Sequence, residues 1–447
     1  MHTRRFTHHR DNLRLSIPIV LGQLSTVLMM TSDTLMVGNY SSLALAGAAF
    51  ANNIFFLQVI PGFGLSSALK PLVANAHAAQ RLDDCRQYLR SGLLLLLGYA
   101  LGLVMLWPWF REGLSVFGQP SEVIVEARPF LDLLMFSMIP LLLFFGLTQF
   151  MESLSETQIP MYINLGGALL NVFLNYALIF GQFGFPALGL IGAGWASLLT
   201  RCLMLLVGLV ILYRLRRFRP FVGTSWGWGE RVYFRALLRL GIPISLQRLF
   251  EFTAFMTASL MAGWLGTVAL AAYQIAFSLS AMTFMVAIGI SEGTTIQTAR
   301  QQGRKAYDQV RAAGNSGLSI VIVFMGVAAL VLLWGKDLIP SWYVRPDDPN
   351  GLDIREMAPL LIVWVALYQI ADGVQVVAMG ALRGLEDVRI PTLIALLSYW
   401  IVGIPLGYVL SFVSDWGIHG IWMGLLTGLA IAALLLVWRF RRLSRMY

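Results

Sequence analysis

Three acidic residues lie inside long apolar segments of the sequence: Asp33, Glu251 and Asp372. A carboxylate at the depth of the hydrocarbon costs several kcal/mol unless it faces a cavity or a partner, so such residues mark functional sites. Glu251 and Asp372 fall near the middle of their segments, at comparable depth. Because two adjacent carboxylates either share a proton or jointly hold a cation, this pair, if the two acids meet, predicts a site for a proton or a cation, with both acids as its candidate ligands.

Polar neighbours of these acids follow helical spacing. Asn171 and Asn175 are four residues apart and therefore share one helix face. Their amides are predicted either to orient Asp33 or coordinate an ion, or to join helices by hydrogen bonds. Tyr368 precedes Asp372 by four residues and has the same two interpretations.

Arg248 stands three residues before Glu251, on the same side of a helix. It is therefore expected to be able to pair with Glu251 and hold it ionised. Further candidates, for a substrate cleft, are Ser197, Gln274, Gln369 and Arg248 itself.

The elements that carry these residues are predicted to be transmembrane helices. The chain has 447 residues, of which 57% are hydrophobic and 12% charged, against about 25% charged in a soluble domain. A bilayer-spanning helix needs about 20 apolar residues. The predicted spans are 13–37, 45–72, 91–110, 129–151, 159–181, 188–213, 238–263, 268–298, 316–338, 357–381, 391–413 and 417–438. The sequence thus predicts an all-α polytopic membrane protein with 12 transmembrane helices.

Basic residues between the predicted spans indicate the orientation. With the N-terminus in the cytoplasm, 24 of the 32 Lys and Arg fall in inside segments and 5 in outside segments. The positive-inside rule therefore places both termini in the cytoplasm, at a plasma membrane. The net charge of +9 is explained by this topology and does not indicate a nucleic-acid partner.

The chain also contains an internal repeat. Residues 13–50 match 238–275 at an offset of 225, with fourteen identities in 38 positions and no gap. Each half holds six predicted spans, and an even number requires parallel rather than inverted repeats. We therefore expect two six-helix lobes, formed by residues 1–222 and 223–447, with a cleft between them.

Signatures of other protein classes are missing from the sequence. It has no phosphate-binding glycine loop that ends in Gly-Lys-Ser/Thr, and its five His show no metal-ligand spacing. Cys85 and Cys202 share no disulfide framework. We expect neither an enzyme nor a protein with a bound cofactor.

Several of these features together resemble the MATE family of multidrug and toxic compound extrusion transporters, in particular its NorM-like branch. They are the doubled six-span unit, Ile-Pro-Ile opening both halves, Ser32-Asp33-Thr34 with Val37-Gly38, Phe250-Glu251, Tyr368 with Asp372, and Leu170-Asn171 with Asn175. The resemblance covers about residues 13–440.

The resemblance implies two lobes in a V and export of cationic drugs in exchange for Na⁺ or H⁺ by alternating access. It assigns Glu251, Asp372 and Tyr368 to the cation site of the C-terminal lobe. Asp33, Asn171 and Asn175 match the ion-responsive site of the N-terminal lobe. Its partners would be small cationic drugs and membrane lipid, and the protein is expected to be a monomer in a bacterial cytoplasmic membrane.

A lipid-linked oligosaccharide flippase of the same superfamily is the alternative. Such a protein needs several basic side chains to hold a pyrophosphate. Arg201, Arg248 and Lys70 are the candidates within the spans, and the buried acids argue against this alternative.

Overall fold

The structure, a computed structural model, describes residues 2–222, 230–343 and 350–446, and the side chains of these except 2–7 and 446. Its long segments are all helical, as the apolar stretches predict. The helices are α1 (His2–Tyr40), α2 (Ser42–Ser67), α3 (Leu69–Ala78), α4 (Leu82–Glu112), α5 (Ser121–Ser153), α6 (Gln158–Phe180), α7 (Leu190–Arg214), α8 (Arg231–Trp264), α9 (Thr267–Gly303), α10 (Tyr307–Gly335), α11 (Ile339–Tyr343), α12 (Gly351–Gly384), α13 (Arg389–Leu396), α14 (Ile404–Tyr408) and α15 (Ile418–Met446).

The all-α polytopic fold is confirmed. Within the described residues, 11 helical segments are long and apolar enough to cross a membrane, each matching one predicted span. The remaining predicted span corresponds to α8, which has 34 residues but carries Arg239, Arg248 and Glu251. Its charged side chains lower its hydropathy, and the count of twelve is therefore approximate.

The helices extend beyond the predicted spans. The third span, predicted at 91–110, lies within α4, which begins at Leu82 and ends at Glu112. Hydropathy marks only the apolar part of a helix. The backbone continues to form hydrogen bonds through polar residues such as Asp83 and Asp84, whose charge is favourable in the first helical turn.

One span is not a regular α-helix. Residues Leu397–Gly403 and Val409–Val413 are π-helical and flank the short α14. The N–H of Ile404 donates to the Tyr399 carbonyl, five residues back. Pro405 lacks an N–H and disturbs regular helical hydrogen bonding here. The extra residue per turn sets the directions of Tyr399 and Trp400, a placement common at functional sites.

Two compact units divide the described chain. One comprises Leu21–Ser245, and the other comprises Met1–Val20 with Leu246–Tyr447. The divisions fall just after Ile17-Pro18-Ile19 and Ile242-Pro243-Ile244, the repeated motif. Helices α1 and α8 therefore each contribute to both units. The predicted lobe boundary at 222/223 adjoins residue 223, which lies outside the described residues, and it stays a prediction.

Each unit has its own apolar core. In the unit of Leu21–Ser245, α5 packs against α2, α4 and α7, with Phe55 and Leu131 among the buried side chains. In the other unit, α12 packs against α9, α10 and α15 around Tyr368 and Trp422. Among the described membrane-crossing segments, α5 and α12 have the largest buried share of residues, and each lies at the centre of its unit.

Matching close contacts connect the sequence repeat to the structure. In one unit, a Cβ on Gly64 would lie 2.3 Å from Ser245 Oγ. In the other, a Cβ on Gly289 would lie 2.3 Å from Val20 Cγ2. Gly64 and Gly289 are 225 residues apart, as are Val20 and Ser245, and 225 residues is the spacing of the repeat. Each unit therefore uses a glycine at the same repeat position to admit α8 at Ser245 or α1 at Val20.

Backbone contact between α14, its π-helical flanks and α15 depends on Gly424. A Cβ at this position would lie 2.5 Å from the Gly403 carbonyl oxygen and 2.5 Å from Gly407 Cα. Small residues at four-residue spacing allow membrane helices to approach this closely.

We predict that Gly424→Ala lowers the free energy of unfolding by about 1–3 kcal/mol, because a side chain there overpacks a backbone contact. Thermal unfolding of the detergent-solubilised protein measures the change. Gly326→Ala is the matched control, since a Cβ on Gly326 meets no atom within 4 Å. Equal unfolding temperatures for the two variants would contradict the predicted role of Gly424.

Candidate functional site

Glu251 meets a tyrosine and a glutamine in the unit of Leu246–Tyr447. The Tyr399 hydroxyl donates a hydrogen bond of 2.7 Å to Gln375 Oε1 and lies 3.5 Å from Glu251 Oε1. Trp400, the next residue, donates from Nε1 to the Phe250 carbonyl at 3.2 Å. The π-helical turn at Leu397–Gly403 therefore fixes the position of α8 around Glu251 from one side.

The proton count at Tyr399 limits what Glu251 can be. A tyrosine hydroxyl has one hydrogen to donate, and the shorter contact assigns it to Gln375. The contact with Glu251 at 3.5 Å is then weak, and a proton on Glu251 or a cation between the two oxygens would strengthen it. An ionised carboxylate would instead compete with Gln375 for the hydroxyl hydrogen.

Asp372 is buried close by, on α12. Its residue is only 2% exposed, and its Oδ1 is buried without a hydrogen-bond partner among the described residues. The charge of Glu251 acts on it electrostatically. A buried carboxylate oxygen without a donor is costly, so the site is suited to a proton or a small cation. Joint binding of one ion by Glu251 and Asp372 stays a prediction.

Tyr368, one helical turn before Asp372, is packed rather than open. It makes edge-on contacts with Trp422, at 5.5 Å between ring centroids, and with Phe255, at 6.2 Å. Its ring is therefore fixed in the core by α8 and α15, one helical turn from Asp372.

Glu251 also lines a pocket that includes Arg248, Glu292 and Arg383. Arg248 lies 3.6 Å from Glu292 Oε1, and Arg383 donates to Gln247 Oε1 at 3.1 Å. The expected ion pair of Arg248 with Glu251 is therefore replaced by one with Glu292, because α9 places that carboxylate within reach. Arg248 still acts on Glu251 through space.

Asp33 lies in a hydrogen-bonded chain in the unit of Leu21–Ser245. Asn175 donates from Nδ2 to Asp33, and the same group lies 3.1 Å from Asn171 Oδ1. Both asparagines are fully buried. Asn175 contacts Asp33 directly, whereas Asn171 contacts Asn175, and their role in ion binding stays a prediction. The remaining amide atoms, Asn171 Nδ2 and Asn175 Oδ1, are buried without partners in the described part of the chain.

A basic residue faces the same acid from α7. Arg201 donates to Ser137, lies 5.0 Å from the centre of the Phe55 ring, and interacts electrostatically with Asp33. Ser197, one turn earlier on α7, is buried. The stacking on Phe55 allows the guanidinium to stay charged within the helices.

The two candidate glutamines for a substrate cleft have different surroundings. Gln274 is exposed and donates to Ser259 at 3.1 Å. Gln369 is fully buried and donates to the Met325 carbonyl at 3.4 Å. Gln369 therefore joins α12 to α10 within the core, while Gln274 is open to whatever surrounds the helix.

The acids do not form a cluster of the kind that holds a transition metal. Among the described residues, no group of three or more His, Cys, Asp or Glu side chains could hold a metal ion. Two carboxylates with neutral oxygens from tyrosine and glutamine are hard donors, which suit an alkali cation or a proton.

Sequence reasoning missed several residues of this site: Tyr399, Gln375, Gln247, Glu292 as the partner of Arg248, and Arg383. Gln375 stands three residues after Asp372, so helical spacing offered a signal for it. Arg383 was counted with the basic residues of an inside segment. Nothing in the sequence signals Tyr399, because its direction depends on the π-helical turn.

The fold and the buried acids define a multi-pass membrane protein with acidic side chains buried inside its helical units. The profile of the MatE family matches residues 18–177 and 243–409. The chain belongs to the MatE family, which confirms the resemblance seen in the sequence.

Relatives match over nearly the whole chain. A "Probable multidrug resistance protein NorM" of Rhodopseudomonas palustris is 37% identical over 442 residues, covering 97% of this chain and 92% of that protein. One with the same description from Xylella fastidiosa is 35% identical over 440 residues, with coverages of 97% and 92%. A solved structure of a Vibrio cholerae MATE transporter has a TM-score of 0.91 at 17% identity, covering 100% of this chain and 99% of that one.

We predict that Tyr399→Phe lowers the free energy of unfolding by about 1–3 kcal/mol, because it leaves the buried Gln375 Oε1 without its donor. Thermal unfolding in detergent measures the loss. Tyr408→Phe, an exposed tyrosine of the same span, serves as control and should unfold with the wild type. If Tyr399→Phe also unfolds with the wild type, the hydrogen bond to Gln375 contributes nothing.

Proposed function

We propose that this protein is a multidrug efflux antiporter, which exports organic cations in exchange for Na⁺ or H⁺. The near full-length identity to proteins described as NorM supports the export of drugs. The observation that carries the ion coupling is the buried Asp372 carboxylate, which has an oxygen without a partner in the described residues and interacts with Glu251.

In this proposal, Glu251 and Asp372 bind the coupling cation together. A Na⁺ ion would take oxygens from the two carboxylates and from neutral neighbours such as Tyr399 and Tyr368. Coupling by H⁺ needs only that one carboxylate takes up a proton, and a protonated Glu251 could donate to the Tyr399 hydroxyl oxygen. No cofactor enters either scheme.

Asp33 is proposed as the second responsive group. Its carboxylate accepts from Asn175, and Asn171 extends the chain. When Asp33 is ionised, it can hold an organic cation or stay bound to the asparagines. When it is protonated, its attraction for a cation is lost, so uptake of H⁺ would release the drug.

Coupling follows from differential affinity. The inward-moving ion and the outgoing drug each shift the conformational equilibrium only by the difference in their affinities for the inward-open and outward-open states. Alternating access requires that the ion favours the state from which the drug leaves. The buried carboxylates are the groups whose affinity such a change of state can alter, through access to water and to basic neighbours.

The flippase alternative has less support. Its three candidate basic residues are engaged inside the units: Lys70 with Glu152 at 2.6 Å, Arg248 with Glu292, and Arg201 with Ser137 and Phe55. Binding of a pyrophosphate would have to break these contacts.

The setting follows from the same proposal. The multi-pass protein would lie in a bacterial cytoplasmic membrane with both termini in the cytoplasm, as its basic residues favour. It would work as a monomer surrounded by lipid and would not bind nucleic acid. Its substrates would be small cationic drugs.

We predict that Asp372→Asn and Asp33→Asn each reduce drug efflux at least about 100-fold, because removal of an essential charge abolishes ion coupling. Resistance of cells to ethidium, with protein amount determined by immunoblot, measures the effect. Asp353→Asn changes an exposed acid at the start of the same helix α12 and should keep wild-type resistance. Undiminished resistance with either core variant would disprove its assigned role.

The coupling ion is tested in proteoliposomes with Na⁺ and pH gradients imposed separately. We expect one gradient to drive ethidium efflux and Glu251→Gln to abolish that drive. Efflux that ignores both gradients would contradict the antiport proposal.

A further inference from the structure

Four charged side chains share the pocket beside Glu251. Arg248 and Glu251 come from α8, Glu292 from α9 and Arg383 from α12. Two are basic and two acidic, so the pocket is neutral when both carboxylates are ionised. Arg383 acts electrostatically on both Glu292 and Glu251, and these helices all belong to one unit.

Arg248 is held loosely. Its nearest carboxylate contact, with Glu292 Oε1, is 3.6 Å, longer than a hydrogen bond. Its Nε is buried without a partner in the described chain, as is the Nε of Arg383. Its side chain keeps 26% of its exposure, whereas that of Glu292 keeps 7%. The side chain therefore has room to move, and its position is not fixed by a bidentate pair.

Arg383, by contrast, is held in place. It is 8% exposed, donates to Gln247 Oε1 at 3.1 Å and lies 3.9 Å from Met379 Sδ. Two of its neighbours on the pocket wall, Gln247 and Met379, also contact each other. Of the two arginines, Arg248 is thus the one that can change partner.

The charge balance of the pocket changes when Glu251 takes up a cation. With a proton or Na⁺ on Glu251, three charges remain that sum to one positive charge, and Arg248 is attracted to Glu292 alone. When the cation leaves, Glu251 becomes a second carboxylate within reach of Arg248, three residues away on the same helix face. Asp372 adds a further negative charge near Glu251, which strengthens this attraction.

We propose that Arg248 is a tethered cation that moves between Glu292 and Glu251, and that it replaces the coupling ion on Glu251 in the ion-free half of the cycle. This inference rests on the proposed antiport function. It adds that Arg248 neutralises the Glu251 carboxylate after the coupling ion has left. Burying an uncompensated carboxylate is costly, so the exchange would let the drug-loaded protein change state without an ion. Arg248 is a positioning residue here, since it acts through Glu251.

The test is a double-mutant cycle on the ion dependence of transport. Wild type, Arg248→Gln, Glu292→Gln and the variant with both changes are reconstituted in proteoliposomes. The readout is the concentration of the driving ion, Na⁺ or H⁺, at which the initial rate of ethidium efflux is half-maximal. Arg304→Gln, at the exposed end of α9, is the control and should match the wild type.

Arg248→Gln should lower the half-maximal ion concentration about fivefold, because Arg248 no longer competes with the ion for Glu251. Glu292→Gln should raise that concentration about fivefold, because Arg248 then has only Glu251 to pair with. The decisive comparison is Arg248→Gln in the Glu292→Gln background. There it should lower the ion concentration by well over tenfold, more than in the wild-type background, because the two sites are coupled.

Additive effects would overturn the exchange, since fixed charges act on Glu251 independently of each other. An unchanged ion dependence in Arg248→Gln would overturn it as well. If Arg248→Gln alone does not accumulate, the doubly changed variant removes both members of the ion pair and is compared with Glu292→Gln. Arg248→Lys keeps the charge and should stay near the wild type.

The control also separates this inference from the function itself. Wild-type or Arg304→Gln protein that shows no ion-driven efflux contradicts the antiport proposal. If ion-driven efflux is normal but the effects of Arg248→Gln and Glu292→Gln are additive, only the proposed movement of Arg248 between Glu292 and Glu251 is contradicted.

Discussion

The cost of an ionised side chain away from water constrains this protein more than any other interaction. In the described units, the three acids differ in the groups that surround their carboxylates. Asp33 accepts from Asn175, Glu251 faces a pocket with basic residues, and Asp372 keeps an oxygen without a partner among the residues described. In the proposed function, a proton or a cation supplies the compensation that these acids lack.

The doubled architecture distributes these acids between two units. Equivalent glycines, Gly64 and Gly289, lie against α8 at Ser245 and α1 at Val20, so each unit packs against a helix that begins in the other half of the sequence. The repeated Ile-Pro-Ile falls at both points of division. Proline removes a backbone hydrogen bond there, which is where α1 and α8 pass from one packing environment to the other.

Other ion pairs inside the units join helices to each other. Lys70 and Glu152 form a buried pair at 2.6 Å, and Arg439 pairs with Asp387 through two contacts of 2.5 and 3.0 Å. These short pairs are of the kind that fixes helices relative to one another. The longer contact between Arg248 and Glu292 stands apart from them, and the difference in geometry separates a structural pair from one that can rearrange.

The sequence by itself determined the membrane class, the long helices, the repeat and the three acids, because hydropathy and helical spacing are local properties of the chain. It left open whether Asn175 orients Asp33 or joins helices, and the structure shows the contact with Asp33. Only the tertiary structure decided that Arg248 pairs with Glu292 and that Tyr399 and Gln375 lie at Glu251. Those contacts join residues distant in sequence, and they depend on which helices pack together and on a π-helical turn that periodicity does not reveal.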